Sequence, residues 1–316
     1  MNREAHQDEP VDVLIVAALK MEYDAILEAG GHGVAGHPGV SAWDKREADR
    51  NCYSFGKFRL AGGGGFSVAV ARPTRMGGIT TATIAASLIP QLNPHCLAMA
   101  GVCAGNPGDV ALGDVVIAEL AYQYDEGRRT QGGFEPDHRQ VPMPESWTRA
   151  AQELSPDDLP SYGSPTGEET RAWMLDLLAS AIEPRTHPSR PANFTDNAAW
   201  TGALAALEAD GLITRPAASP VITDAGRAVA ERRRHDDITG PERLPFRLVV
   251  GPMASGNVVV KDAVTWDPLA QMGVRTVKAL EMEAAAVARV AADLDVPTWA
   301  VVKGVMNYRL CRSAQG

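Results

Sequence analysis

The sequence predicts an α/β protein built on a largely parallel sheet, and three observations carry that expectation. Apolar, β-branched runs of the kind buried on both faces of a sheet recur along the chain. Helical stretches separate them, as βαβ units require. The pattern stops near residue 124 and resumes at 246, which sets a mainly helical region inside the first domain.

The runs are VDVLIVAA (11–18), FSVAVA (66–71), HCLAMA (95–100), DVVIA (114–118), FRLVV (246–250) and TWAVVK (298–303). Helices are expected at 21–29, 77–90 and 281–293. AGGGG, 61–65, precedes a strand instead of joining strand to helix, so it reads as a loop and not a phosphate cradle. The domain is therefore expected to be discontinuous, 11–123 and 246–308, around an insert at 124–245. Within the insert, helical periodicity appears at 168–182 and 198–210. The stretch WTGALAALEADGLITRPAASPVITDAGRAVAERRR (200–234) lays out a helix ending at Gly211, two short strands, and a helix opened by Thr223 and Asp224. That layout resembles a winged helix. Its first helix carries Glu208 and Asp210 but no Lys or Arg, whereas DNA phosphates need cations. A packing or sensing module is the preferred reading.

Composition narrows the function classes. The chain has 316 residues, 45 % hydrophobic and 22 % charged, with a net charge of −9. That balance argues against a general nucleic-acid binder. No apolar run approaches the roughly 18 residues of a membrane span. The start, MNREAHQDEP, lacks a signal-peptide pattern, so a cytoplasmic location is expected. Cys52, Cys96, Cys103 and Cys311 form no CxxC pair and read as reduced thiols. No metal and no cofactor are expected.

Five segments carry chemistry. In VLIVAALKMEYDAIL, a strand end runs through Ala18 to Glu22 at a helix start, which brings a carboxylate to the ligand edge of the sheet. In ARPTRMGGITTATIAASLI, Arg75 precedes Gly77 and Gly78, which open a helix whose free N–H groups suit an anion. AMAGVCAGNPGDVALGDVVIA joins a strand to a Gly-rich turn. GPMASGNVVVKDA places Val258 and Val259 after a strand end. ALEMEAAAVARVA begins with Glu281, Met282 and Glu283. An acid in a first helical turn is ordinary, and the simplest account makes both of these helix-capping groups.

Together the five segments resemble the nucleoside phosphorylase and nucleosidase superfamily, in particular methylthioadenosine/S-adenosylhomocysteine nucleosidase-like domains. The likeness covers roughly 11–122 and 246–308. It implies a phosphorylase/hydrolase-like three-layer mixed sheet flanked by helices, cleavage of the N-glycosidic bond of purine nucleosides, and a homo-oligomer, with a dimer favoured. By resemblance Glu22 activates water, and Ala18, Val102, Cys103 and Ala104 line the base and sugar pocket. Val258 and Val259 wall the base. ALEMEAAAVA parallels the family's VEMEGAAVA, so by resemblance Glu283 takes the two ribose hydroxyls, Met282 packs on the sugar, and Glu281 is counted with them among the substrate-binding residues. A vicinal diol offers two donors to the two oxygens of a carboxylate. ALKME replaces the GDPxR-like turn of the phosphorylases, which favours hydrolysis, whereas Arg75, Gly77 and Gly78 keep phosphorolysis open.

Two departures bear on activity. VVKGVMNY (301–308) puts Asn307 where the family has a catalytic Asp. An amide donates a hydrogen bond to the base but transfers no proton, and general acid catalysis is worth roughly a hundred- to ten-thousandfold. The tail RLCRSAQG shows none of the periodicity of the family's closing helix. Impaired hydrolysis, and nucleoside sensing without turnover, both remain open from the sequence.

Overall fold

The computed structural model describes residues 10–34, 36–48, 50–216, 219–236, 243–256 and 277–307, with Trp266 and Leu269. Val258, Val259 and the segment after Asn307 lie outside the described residues.

In chain order the first elements are β1 (Val13–Val16), α1 (Lys20–His32), β2 (Gly39–Val40), β3 (Asp44–Ala48), β4 (Asn51–Arg59), β5 (Gly65–Ala71), α2 (Gly78–Leu92), β6 (Cys96–Gly105) and β7 (Val115–Gln123). A small hairpin, β8 (Gly127–Thr130) and β9 (Gly133–Pro136), leads to β10 (Val141–Pro142) and α3 (Glu145–Glu153). The insert holds α4 (Gly167–Ala179), α5 (Arg190–Asn193), α6 (Asn197–Ala209), β11 (Ile213–Thr214), β12 (Val221–Ile222) and α7 (Asp224–Asp236). The chain then returns through β13 (Leu248–Ser255), β14 (Ala279–Glu281), α8 (Ala284–Asp293) and β15 (Thr298–Asn307).

The main sheet runs β10-β7-β13-β14-β6-β1-β5-β4-β2, with β3 on the free side of β4 and β15 joining β6 to β7. Of the strands read as apolar runs, β5, β1, β6 and β15 are mutually parallel, whereas β7 and β13 are parallel to each other and β7 is antiparallel to β15. The outer strands β2 to β4 and the contacts β14–β6 and β15–β7 are antiparallel, so the sheet is mixed. Because β15 lies along both β6 and β7, the strands β6, β14, β13, β7 and β15 close into a small ring. On its strands Met99, Cys103, Val116, Val301 and Val305 are buried in the main core. Helices α2 and α8 cover one face of the sheet. Alanines at 284, 285, 288 and 291 of α8 are buried, and their small side chains allow close approach. A Cβ on Gly78 would press on the Met282 carbonyl at 3.2 Å, which makes glycine the fitting residue where α2 meets the start of α8.

Two expectations are revised. The sheet domain reaches past 124: β10 pairs with β7, the Met143 N–H donates to the Glu119 carbonyl at 2.8 Å, and Ala151 joins the main core. The insert closes on itself further along, where Tyr162 bridges Leu244 and the Tyr162 ring meets that of Phe246 at 5.6 Å. It carries its own core of Met174, Phe194, Leu204, Leu207 and Ile213. Second, residues 279–281 form a strand, not a helical turn, and the helix begins at Ala284. Among the described residues no helix is long and apolar enough to cross a membrane.

Candidate active site

The site grows from a gap in strand pairing. One edge of β6 pairs with β1 from Cys96 to Met99 and with β14 from Ala104 to Gly105. Between them the edge changes partner, the kind of switch point at which open α/β sheets bind ligands. A backbone N–H left there needs an acceptor. Glu22, in the first turn of α1, supplies it: its Oε1 accepts from the Val102 N–H at 3.0 Å. Its Oε2 accepts from the N–H groups of Ala18 and Leu19 at 3.0 and 2.9 Å. Glu22 is buried. A Cβ at Gly101 would overlap the Glu22 carboxylate, so only glycine lets the acid approach the strand this closely.

Glu281 and Glu283 divide into two roles. Glu281 ends β14, and its register partner on β13 is Ser255. The Ser255 hydroxyl donates to Glu281 Oε1 at 2.5 Å and accepts from the Ala285 N–H at 2.8 Å. Glu281 also accepts from the N–H groups of Glu283 and Ala284, both at 2.9 Å. These bonds satisfy N–H groups that the start of a buried helix otherwise leaves open. Glu281 and Ser255 are thus the cap of α8.

Glu283 makes no cap hydrogen bond to α8. Its Oε1 accepts from the Gly77 N–H at 2.9 Å, a residue distant in sequence at the mouth of α2. The Lys303 ammonium, 1 % exposed, lies 3.4 Å from Glu281 Oε2 and 3.8 Å from Glu283 Oε2. Burial, then the charge of Glu281, raises the Glu283 carboxyl to about 7; Lys303 and the Gly77 N–H oppose the rise, and Glu22 adds to it. Burial pushes the Lys303 ammonium down, but Glu281, Glu283, Glu22 and Cys103 together outweigh it, so its net shift is upward. Two carboxylates therefore flank one buried cation, and the charge of Glu22 adds to their field.

The structure places the remaining candidates as follows. Ala18 and Val102 contribute backbone N–H groups to Glu22. Cys103 is buried, its thiol pushed up to about 12 by burial, and so it stays protonated. Ala104 is buried on β6 between Leu280 and Asn307, which pairs with it from β15. Met282 is half-buried. Arg75 is exposed on the loop before α2, where its carbonyl accepts from the Thr80 hydroxyl at 2.7 Å. The Gly77 N–H, proposed from sequence for an anion, meets the carboxylate of Glu283. Lys303 was missed in the sequence. Its signal was there: a lysine inside an otherwise apolar strand run, where unpaired lysines are almost never fully buried. The GD of LGDVV is structural, since Asp114 holds Arg247 at 2.6 Å and ties β7 to β13. Among the described residues no cluster of three or more His, Cys, Asp or Glu could hold a metal.

Solved structures share this architecture. The 5′-methylthioadenosine/S-adenosylhomocysteine nucleosidase from S. pneumoniae, solved with the transition-state inhibitor MT-ImmA, aligns with a TM-score of 0.53 at 16 % identity, over 94 % of this chain and 86 % of that one. The Helicobacter pylori enzyme, solved as an aspartate-to-asparagine mutant with 5′-methylthioadenosine in the active site, aligns at 0.51 with 16 % identity, over 94 % and 86 %. A futalosine hydrolase mutant of Helicobacter pylori aligns at 0.50 with 16 % identity, over 94 % and 89 %. Identities this low establish the fold: a phosphorylase/hydrolase-like mixed α/β sheet flanked by helices. No family model matches the chain. A stretch of 57 residues is 37 % identical to the uncharacterised protein y4jS of Sinorhizobium fredii, covering 18 % of this chain and 14 % of that protein.

Proposed function

We propose that the protein cleaves the N-glycosidic bond of purine nucleosides or their derivatives by hydrolysis. The observation that carries this reading is Glu283: a buried carboxylate released from capping its own helix, anchored by the Gly77 N–H, raised to about 7, and set in one cluster with Lys303 and Glu22. A buried acid that its own helix does not need as a cap, with its ionisation displaced, is a functional-site candidate.

The ribose diol donates to Glu283, whose ionised form Lys303 favours. A carboxylate has about four acceptor sites, and Glu22 accepts three backbone N–H bonds, which leaves one for water. Water attacks C1′ as the bond to the base nitrogen breaks, and Glu22 receives the proton. Positive charge grows on the sugar, where Glu283 and Glu22 stabilise it. The family likeness supports a hydrogen bond from the Asn307 amide to the departing base; Val258 and Val259, which the same likeness makes the wall of the base, lie outside the described residues. Engagement of the Gly77 N–H by Glu283 supports hydrolysis over phosphorolysis. The neighbour whose aspartate is replaced by asparagine, with 5′-methylthioadenosine in its active site, supports retention of substrate by a pocket of this kind.

The insert reads as a packing or sensing module. Arg215 pairs with Glu208, and Arg233 and Arg234 pair with Asp176, so these cations already have acids. The family likeness supports a cytoplasmic homodimer.

Incubation with adenosine or methylthioadenosine should release free base without added phosphate, and Asn307→Asp should raise the rate by roughly a hundredfold or more. Silence of both proteins on nucleosides and nucleotides, together with micromolar binding by calorimetry, would replace catalysis with sensing.

A further inference from the structure

The chain carries a net charge of −9, yet a cavity of about 670 Å³ between α1, β4 and α2 runs against that balance. Its walls bring together Lys20, Lys45, Arg50 and Arg72, with Asp24 as the acid among the described lining residues. Asp24 is bonded to Lys20 at 2.5 Å. Lys45 and Arg72 have no acid partner among the described residues. Both converge on one aromatic ring instead: the Lys45 ammonium lies 4.8 Å and the Arg72 guanidinium 5.9 Å from the centre of Tyr23. Lys45 donates to the Tyr23 hydroxyl at 2.7 Å, and that hydroxyl is shared with Ser54 at 2.6 Å. The ring is buried, so it fixes where the two cations stand. Two like charges facing one space repel, and an anion between them reverses the sign of that interaction. A lysine and an arginine together suit a phosphate group.

Two short chain segments link residues lining the cavity to the proposed catalytic cluster. Lys20 follows Leu19, whose N–H holds Glu22. Arg72 opens the loop that leads to Gly77, whose N–H holds Glu283. A sugar gripped by its 2′ and 3′ hydroxyls projects its 5′ carbon away from that grip.

We infer that this cavity receives the 5′-phosphate of a nucleotide, so that the substrate is a phosphorylated nucleoside. The inference rests on the N-glycosidase reading and deepens it. The reaction is nucleotide plus water to free base plus ribose 5-phosphate: the C1′–N electron pair leaves with the base, water oxygen bonds C1′, and the released proton ends on the base.

The test compares AMP with adenosine in phosphate-free buffer, using wild type, Lys45→Gln, Arg72→Gln and the double variant. The ratio of kcat/KM for AMP over adenosine should exceed ten in wild type. It should fall roughly ten- to a hundredfold in the double variant, through KM, as loss of charged hydrogen bonds predicts. If Arg72→Gln does not fold, Lys45→Gln and Lys20→Gln, both at exposed positions, carry the comparison. Calorimetry separates the two readings: AMP binding tighter than adenosine binding, and lost in the double variant, supports the phosphate site even if neither compound releases base. Equal affinity for AMP and adenosine overturns it. So does base release that requires inorganic phosphate and yields ribose 1-phosphate, since the cavity then serves the free ion.

Discussion

Replacing Glu283 with Gln should stabilise the protein while abolishing its activity, and the gain should depend on pH in one direction. The Glu283 carboxyl moves from an ordinary 4.5 to about 7 in the folded chain. Burial is the main cause, so the folded state disfavours the ionised form. Between those two values the folded protein binds more protons than the unfolded one, and stability falls as pH rises. At about 1.4 kcal/mol per pH unit the full effect is roughly 3 kcal/mol, present below pH 4.5 and lost by the time pH passes 7. Gln keeps an oxygen for the Gly77 N–H and carries no charge. Wild type and Glu283→Gln should therefore unfold at similar denaturant concentrations near pH 4.5. By pH 8 the variant should be ahead by roughly 3 kcal/mol. Guanidinium titrations at several pH values, with unchanged slopes, measure this directly. A stability difference that is flat in pH, or that grows towards acid, would refute the assignment of Glu283 as a carboxylate held ionised at a cost to the fold.

Three further outcomes are expected. Lys303→Met leaves Glu281 and Glu283 without their buried cation and should cost about 3–5 kcal/mol of stability. It should also shift the pH profile of base release towards alkali, since Glu283 then ionises later. Gly101→Ala drives a methyl group into the Glu22 carboxylate and should reduce base release by roughly a hundredfold. Gly62→Ala, which meets open space, is the control for that assay.

Legibility in the sequence followed the range of the interactions involved. Strands β1, β5, β6 and β15 announced themselves because burial on both faces demands continuous apolar runs. Strands β3 and β4 did not: DKREA is exposed over most of its length, and NCYSFGKFR is buried only over its middle, where Ser54 and Gly56 interrupt the apolar residues. β14 was hidden by its brevity and by the helix that follows it. Glu22 and Glu283 were named from pattern, but their roles depend on distant groups. Val102 lies 80 residues from Glu22, and Gly77 lies 206 residues from Glu283. Lys303 could have been questioned from its apolar surroundings, yet only the folded ring shows the two acids that pair with it.

Two glutamates flanking one methionine invite a single explanation, and the packing requires two. A helix whose first turn is buried between strands must find acceptors for its free N–H groups. Ser255 and Glu281 sit side by side in register on parallel strands and reach that turn together. With this demand met, nothing in α8 needs the Glu283 carboxylate. Turned instead towards Gly77 and Lys303, it lies near enough to Glu281 for the second charge to oppose its own ionisation. The cap is therefore part of the site's electrostatics: the charge that completes the helix also raises the neighbouring acid. Lys303, shared between the two carboxylates, limits that rise; on the proposed reading, a sugar's hydroxyls then supply the donors that burial took away and complete the ionisation of Glu283.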